Sequence, residues 1–310
     1  LKSNSGKTQH MYTGESHLQE QVQGNLILFK AKLFFQLVKF RLSAVVVFSG
    51  TFGYLLAQEG PIDWVKFLSL MMGSFLVTSG ANTINQIKEK EFDKLMKRTK
   101  DRPLPTERLS IQEATIFTLI VTTIGAVLLM VYVNPFTALL TLLSLILYGF
   151  VYTPLKRVSP ISVFVGAFPG AMPPLIGWVA YTGTLSAEAF IIFGIQFMWQ
   201  FPHFWSIAWL GDEDYKRAGF KMLPNGKKDF NTAFKMMTYT LFLIPMGVLP
   251  AQYGITGLTS ALVAVVCGAL FLVQTFSLMR TGSRKSALKL MFSSFFYLPI
   301  VQLAFLLDKI

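Results

Sequence analysis

From residue 35 onward the sequence is a succession of apolar runs of about 20 residues, each separated from the next by a polar turn. A helical run of that length matches the thickness of a lipid hydrocarbon core, and one soluble core has no room for so many of them. Windows bounded by charge, Gly and Pro place nine runs, at about 35–57, 64–88, 112–132, 135–153, 160–181, 187–209, 233–252, 256–279 and 287–307. A membrane β-barrel would need alternating segments of about ten residues, and the runs do not alternate. Composition agrees: 53% of the 310 residues are hydrophobic and 14% are charged, where soluble domains carry about a quarter charged residues. The expected fold is all-α, a polytopic membrane bundle of nine transmembrane helices around a central cavity. Residues 1–34 are expected to be a polar tail and short lead-in, and residues 35–310 a single transmembrane domain.

The formal net charge is +12. On a soluble chain this would suggest nucleic acid, but here the charges lie in the connections between apolar runs, so the lipid bilayer is the expected partner and nucleic acid is not. Lys90, Lys94, Lys97, Arg98, Lys100, Arg102 and Arg108 follow the second run, Lys156 and Arg157 the fourth, Lys216, Arg217, Lys221, Lys227 and Lys228 the sixth, and Arg280, Arg284 and Lys285 the eighth. The alternate connections hold essentially no basic residue, Lys66 lying just inside a run. The positive-inside rule then puts the basic connections and the N-terminus on the cytoplasmic side, and Asp308 to Ile310 outside; the cavity is expected to open to the cytoplasmic side. Two of the basic connections are long, about 20 residues, and hold most of the carboxylates, so the chemistry is expected at that face. The first residues, to about Gly24, are polar, include His10 and His17, and read as a flexible tail. They lack the basic, apolar, small-residue order of a cleaved signal, so the first apolar helix is expected to be retained. Cys267, the only cysteine, sits inside an apolar run, which excludes a disulfide framework and a cysteine-based metal site.

The second run ends in Asn85, Glu89 and Asp93, spaced i, i+4, i+8. On a continuing helix these form one stripe of oxygen donors over two turns, with Glu91 pointing away. Hard cations such as Mg²⁺ take oxygen ligands and are commonly shared between one or two carboxylates and substrate phosphates. Taken alone, the row is explained equally well as a solvated helix end in which Glu and Lys alternate. Two neighbours weigh against that. Met96 to Pro105 is densely cationic, with Arg98 and Arg102 able to fork onto diphosphate oxygens. A second acidic set, Asp212, Glu213 and Asp214, follows the sixth run and precedes Lys216 and Arg217. Two acidic clusters on one face, each with its cations, can clamp a metal-bridged diphosphate from both sides.

Asn85-x-x-x-Glu89-x-x-x-Asp93 resembles the Asn-x-x-x-Asp-x-x-x-Asp motif of the intramembrane aromatic (UbiA-type) prenyltransferase superfamily. Asp212 to Gly219 resembles its second acidic motif, and Tyr152-Thr153-Pro154-Leu155-Lys156 its Tyr-x-x-x-Lys loop. The nine-helix layout is also that of the superfamily. Finer strings, Asp93 to Leu104, Tyr152 to Arg157, Gly170 to Trp178 and Trp199 to Trp205, are similar to its protohaem IX farnesyltransferase (haem O synthase) branch, over roughly residues 35–305. Two positions depart. Glu89 stands where many members have Asp, keeping the oxygens one methylene further out. Phe40, between Lys39 and Arg41, replaces a frequent proline, so the geometry at the start of the first helix is not carried over.

The resemblance implies a transferase that moves the farnesyl group of farnesyl diphosphate onto a vinyl group of haem b, with Mg²⁺ as cofactor and water supplying a hydroxyl. It implies Asn85, Glu89, Asp93, Asp212 and Asp214 as catalytic metal-holding residues, and Arg98, Arg102, Lys156, Arg157 and Lys216 as diphosphate-binding ones. A carbocation needs electron-rich walls. The 29 Phe, 10 Tyr and 5 Trp offer candidates, each worth about 0.5–2 kcal/mol to a nearby cation, although most serve packing or face lipid. His203 is expected to contact haem, as an axial imidazole or an orienting group, the alternative being donation to a carbonyl beside Pro202. Trp205 belongs to the same haem-binding set, as do Arg41 and Lys39, which would meet the propionates or else snorkel to headgroups. Pro173 and Pro174, with Gly166, Gly170 and Gly177, are expected to break the fifth run and shape the acceptor pocket, close packing by small residues being the alternative. The expected setting is a bacterial plasma membrane rather than a mitochondrial inner one, with haem A synthase or cytochrome oxidase assembly proteins as downstream partners. Two other functions compete: a prenyltransferase acting on a different aromatic acceptor, and a transporter. A transporter would place ionisable groups near the midplane and show an internal repeat; here the carboxylates gather at one surface and no clear repeat is present.

Overall fold

Nine helical rods of 18 to 30 residues make up the described part of the computed structural model, which covers Leu26 and residues 28–310; the tail with His10 and His17 lies outside the described residues. The rods are α1 (Phe40–Ala57), α2 (Trp64–Asp93), α3 (Ile111–Tyr132), α4 (Pro135–Val158), α5 (Ser162–Thr182), α6 (Ala187–Leu210), α7 (Phe230–Gln252), α8 (Leu258–Thr281) and α9 (Arg284–Leu307). Polar turns start and stop them. Asp63, Asn134, Ser186, Asp229 and Ser283 cap the first turns of α2, α4, α6, α7 and α9, and Ser110 with Glu113 forms a capping box on α3. Gly183 and Gly282, both left-handed, close α5 and α8.

Eight of the rods are long and apolar enough to cross a membrane. The ninth, α6, has 24 residues but carries Gln196, Gln200 and His203, all buried and spaced to lie on one face. Consecutive rods pack on one another, α9 meets α1, and α5 sits among α1, α4 and α6. Burial follows this arrangement. The spanning window of α5 is 78% buried, whereas those of α3 and α8 are only 28% buried. Their outer faces carry Leu119, Val131, Leu262 and Leu270, all exposed, an apolar surface that requires lipid rather than water around it.

The fifth helix is not broken. Pro169, Pro173 and Pro174 all lie inside a continuous 21-residue α-helix, which corrects the sequence expectation. Pro173 and Pro174 have no N–H to offer the carbonyls of Pro169 and Gly170. Neighbouring helices supply the missing donors: Ser144 Oγ donates to Pro169 O at 3.2 Å and Gln196 Nε2 to Gly170 O at 2.8 Å. Such re-satisfaction by adjacent helices is how prolines persist at membrane depth. Gln196 also accepts from Ser49 Oγ at 2.6 Å and from Gln302 Nε2 at 3.2 Å, tying α1, α5, α6 and α9 together. The glycines serve close approach. A Cβ on Gly53 would stand 1.9 Å from Pro174 O, and one on Gly177 would stand 1.8 Å from Gly50 O, so α1 and α5 touch backbone to backbone.

The connections sort into two ends. At one end, Arg98 reaches Tyr215, Lys221 N donates to Lys156 O, and Arg284 Nη1 donates to Leu210 O. These contacts join all four basic connections. At the other end, Glu59 N is bonded to Tyr181 Oη, Asn134 Nδ2 to Val179 O, and Gly257 N to Asp308 O. Ahead of α1, residues 28–38 are helical, and Leu33 and Leu37 pack with Leu104, Leu109 and Ala114 at the basic end.

Candidate active site

The α2 helix continues without a break to Asp93, so Asn85, Glu89 and Asp93 do share one stripe. That stripe faces inward: the three residues are 3%, 5% and 0% exposed. The solvated helix end exists, but on the other side of α2. There Glu91 pairs with Lys94 at 2.9 Å and Lys90 with Glu107 at 3.2 Å; these lysines hold the exposed Glu107 carboxyl below its ordinary range.

Each member of the row has a cationic partner from a different element. Lys39 Nζ donates to Asn85 Oδ1 at 3.1 Å. Lys39 sits between the 28–38 helix and α1 with φ 49°, a left-handed backbone that costs a non-glycine residue about 1–2 kcal/mol. Asn85 Nδ2 donates to Thr153 Oγ1 at 3.2 Å, and Thr153 Oγ1 in turn donates to Tyr148 O at 2.8 Å. Tyr148 lies within the π-helical turn Leu147–Tyr152 and Thr153 directly follows it, an irregularity common at functional sites. From one turn further, Lys156 forms a buried ion pair with Glu89, its ammonium also 4.9 Å from the Tyr152 ring centre and 5.3 Å from that of Phe220. Arg102 Nη1 donates to Asp93 Oδ2 at 2.7 Å. Asp93 Oδ1 is buried and has no hydrogen-bond partner.

The second acidic set opens the short helix Asp212–Arg217, directly after α6. Asp212 is buried; its Oδ2 accepts from Lys216 Nζ at 2.9 Å and lies 3.6 Å from Lys228 Nζ. Asp214 pairs with Arg217. Arg98 Nη2 reaches Tyr215 Oη at 3.5 Å, and the exposed Arg157 stacks 4.1 Å over Phe92. The two acidic sets therefore sit at the same end of the bundle, with the α2–α3 loop in contact with the short helix.

Among the described residues no three His, Cys, Asp or Glu side chains are arranged to hold a metal unaided. The donors are oxygens throughout, two of the row's three are carboxylates, and one buried carboxylate oxygen is open. This set suits a hard cation shared with phosphate oxygens, and the flanking ammonium and guanidinium groups suit the phosphate itself.

The residues expected to bind haem separate. Lys39 is turned to Asn85, while Arg41 is exposed. His203 is buried between α6 and α9, its Nδ1 2.8 Å from Ser294 Oγ rather than at a carbonyl beside Pro202. Its ring stacks on Trp199 at 4.4 Å and meets the edge of Phe295 at 5.0 Å. Trp205 is buried beside Phe201 and Tyr239, and its Nε1 has no partner. Sequence reading missed Thr153, Tyr215 and Lys228. Thr153 and Tyr215 lie inside motifs already singled out, so proximity could have flagged them; Lys228 stands in a basic loop with nothing to mark it.

The UbiA prenyltransferase family model matches residues 46–298. A Cytophaga hutchinsonii protein named protoheme IX farnesyltransferase is 53% identical over 89% of this chain and 97% of its own length. A Flavobacterium psychrophilum protein of the same name is 44% identical over 89% and 94%. Among solved structures, one reported with the biosynthesis of digeranylgeranylglyceryl phosphate synthase in membranes has a TM-score of 0.76 at 22% identity, covering 90% of this chain and 98% of its own. A UbiA homologue from Archaeoglobus fulgidus bound to GPP and Mg2+ has a TM-score of 0.63 at 13% identity, covering 88% and 99%.

Proposed function

The chain belongs to the UbiA prenyltransferase family, and from that premise we propose that it transfers the farnesyl group of farnesyl diphosphate to a vinyl group of protohaem IX (haem b). The observation that carries the proposal is the buried Asn85, Glu89 and Asp93 row, with one Asp93 oxygen open and cations from three other elements against it.

The diphosphate binds at the basic end, between the row and Asp212. In the ligand-free protein the cations and carboxylates neutralise one another. On binding, Lys156, Arg102 and Lys216 turn from Glu89, Asp93 and Asp212 to phosphate oxygens, joined by Arg98 and Arg157. Mg²⁺, held by Asn85, Glu89, Asp93, Asp212 and Asp214 together with the phosphates, would supply Lewis-acid stabilisation of the departing diphosphate. As the allylic carbon–oxygen bond breaks, the five cations meet the negative charge that grows on the leaving group. The Tyr152 and Phe220 faces, which already attract the Lys156 ammonium, suit the positive charge left on the prenyl chain.

Acceptor recognition falls to the α1 and α6 residues. Ser294 fixes Nδ1 of His203, leaving Nε2 for haem; Trp205 adds an indole N–H, and the exposed Arg41 a propionate partner. Lys39 holds Asn85 in place. Residues 35–310 act as one domain of a multi-pass membrane protein. Its basic end lies in the bacterial cytoplasm and its C-terminus outside, which the distribution of Lys and Arg supports. Its product would pass to haem A synthase or to oxidase assembly. Formation of farnesylated haem by the purified protein tests the assignment.

A further inference from the structure

Away from the acidic rows, α8 and α9 flank a lateral groove of about 600 Å³, whose lining residues Leu270, Phe292, Phe296 and Ile300 are exposed on the apolar outer surface. Its lining changes character with depth. Lys285 and Lys289 stand at the basic end, where Arg284 reaches Leu210 O; both lysines are exposed, and among the described residues neither forms an ion pair. Leu288 and Phe292 line the groove between these lysines and the neutral polar groups Gln274 and Ser293, and beyond those the walls are apolar and aromatic throughout, with Phe296 and Ile300, so charge is confined to the basic end. From Lys285 to Ile300 the helix rises about 22 Å at 1.5 Å per residue. One leaflet of hydrocarbon is about 15 Å thick, so the groove spans one leaflet plus its headgroup layer.

We propose that this groove binds one anionic phospholipid. Its phosphate sits between Lys285 and Lys289, its glycerol esters lie at the level of Gln274 and Ser293, and an acyl chain runs along Phe296 toward Ile300. Unpaired lysines beside an interhelical groove at the basic membrane face attract anionic headgroups, and charge at one end of a largely apolar groove matches a phospholipid from phosphate to chain. The lysines lie outside the diphosphate site, so the lipid is additional to substrate.

The test is native mass spectrometry of the full chain in neutral detergent, titrated with phosphatidylglycerol or with phosphatidylcholine of identical chains. The protein retains one phosphatidylglycerol in preference to phosphatidylcholine. A Lys285→Gln/Lys289→Gln variant binds phosphatidylglycerol roughly thirtyfold more weakly, with its farnesyl transfer in detergent unchanged. Ser293→Trp, which obstructs the groove at the level proposed for the glycerol esters and keeps both lysines, also loses the lipid. Equal retention of the two lipids, an unchanged affinity in the lysine variant, or undiminished binding in Ser293→Trp would each overturn the proposal.

Discussion

Arg102 grips one oxygen of Asp93 and leaves the other bare: Nη1 donates to Oδ2 at 2.7 Å, while Oδ1 is buried without a partner. An unsatisfied buried carboxylate oxygen costs about 1–3 kcal/mol or more, a cost that a ligand at this oxygen would relieve. The same pattern recurs in weaker form along the site, where Glu89 and Asp212 are buried and paired with cations whose geometry also suits a phosphate.

The open oxygen of Asp93 makes it the most exacting member of the row. Asp93→Asn removes the charge with almost no change of volume, and turnover should fall by at least about a hundredfold. Circular dichroism and gel filtration should match the parent. Wild-type turnover in this variant would remove the row from the mechanism.

Lys156 is predicted to act on the diphosphate rather than the acceptor. Lys156→Met should raise the KM for farnesyl diphosphate about tenfold or more, the scale of one charge-assisted hydrogen bond, and leave the KM for haem b near that of the parent. Steady-state kinetics with each substrate varied in turn separate the two, and an effect confined to the haem KM would contradict the assignment.

Much of this site was legible before the fold was known, and for a definite reason. Residues spaced i, i+4, i+8 share a face on any helix that continues, so Asn85, Glu89 and Asp93 needed only the extension of α2. The ends of the bundle were legible because Lys and Arg cluster in alternate connections. The fifth helix was misread because the groups that rescue its prolines, Ser144 and Gln196, lie on other helices, where local sequence rules do not reach. The left-handed turn at Lys39, which aims it at Asn85, likewise has no sequence marker, because nothing local to a lysine signals a positive φ.

Gln196 is the hinge of that rescue. Gln196→Leu strands Gly170 O and the hydroxyl proton of Ser49, while Gln302 Nε2 keeps its bond to Ser49 Oγ at 3.1 Å; each stranded group costs about 1–3 kcal/mol. Thermal unfolding in detergent should show a lower midpoint than the parent. An unchanged midpoint would mean that the α5 prolines need no outside donors.

Turnover should also require a divalent cation. Excess chelator is expected to abolish product formation, and Mg²⁺ added beyond the chelator to restore it, since the all-oxygen donor set matches a hard cation. Product formed at the parent rate in excess chelator would contradict this.

Farnesylation of haem b by this chain is read most directly from the mass of the haem product. Purified protein incubated with haem b, farnesyl diphosphate and Mg²⁺ should yield, by liquid chromatography and mass spectrometry, a haem heavier by one farnesyl group and one hydroxyl, with one diphosphate released per product. Unmodified haem b at the end of the reaction, beside a control enzyme that converts it, would contradict the account.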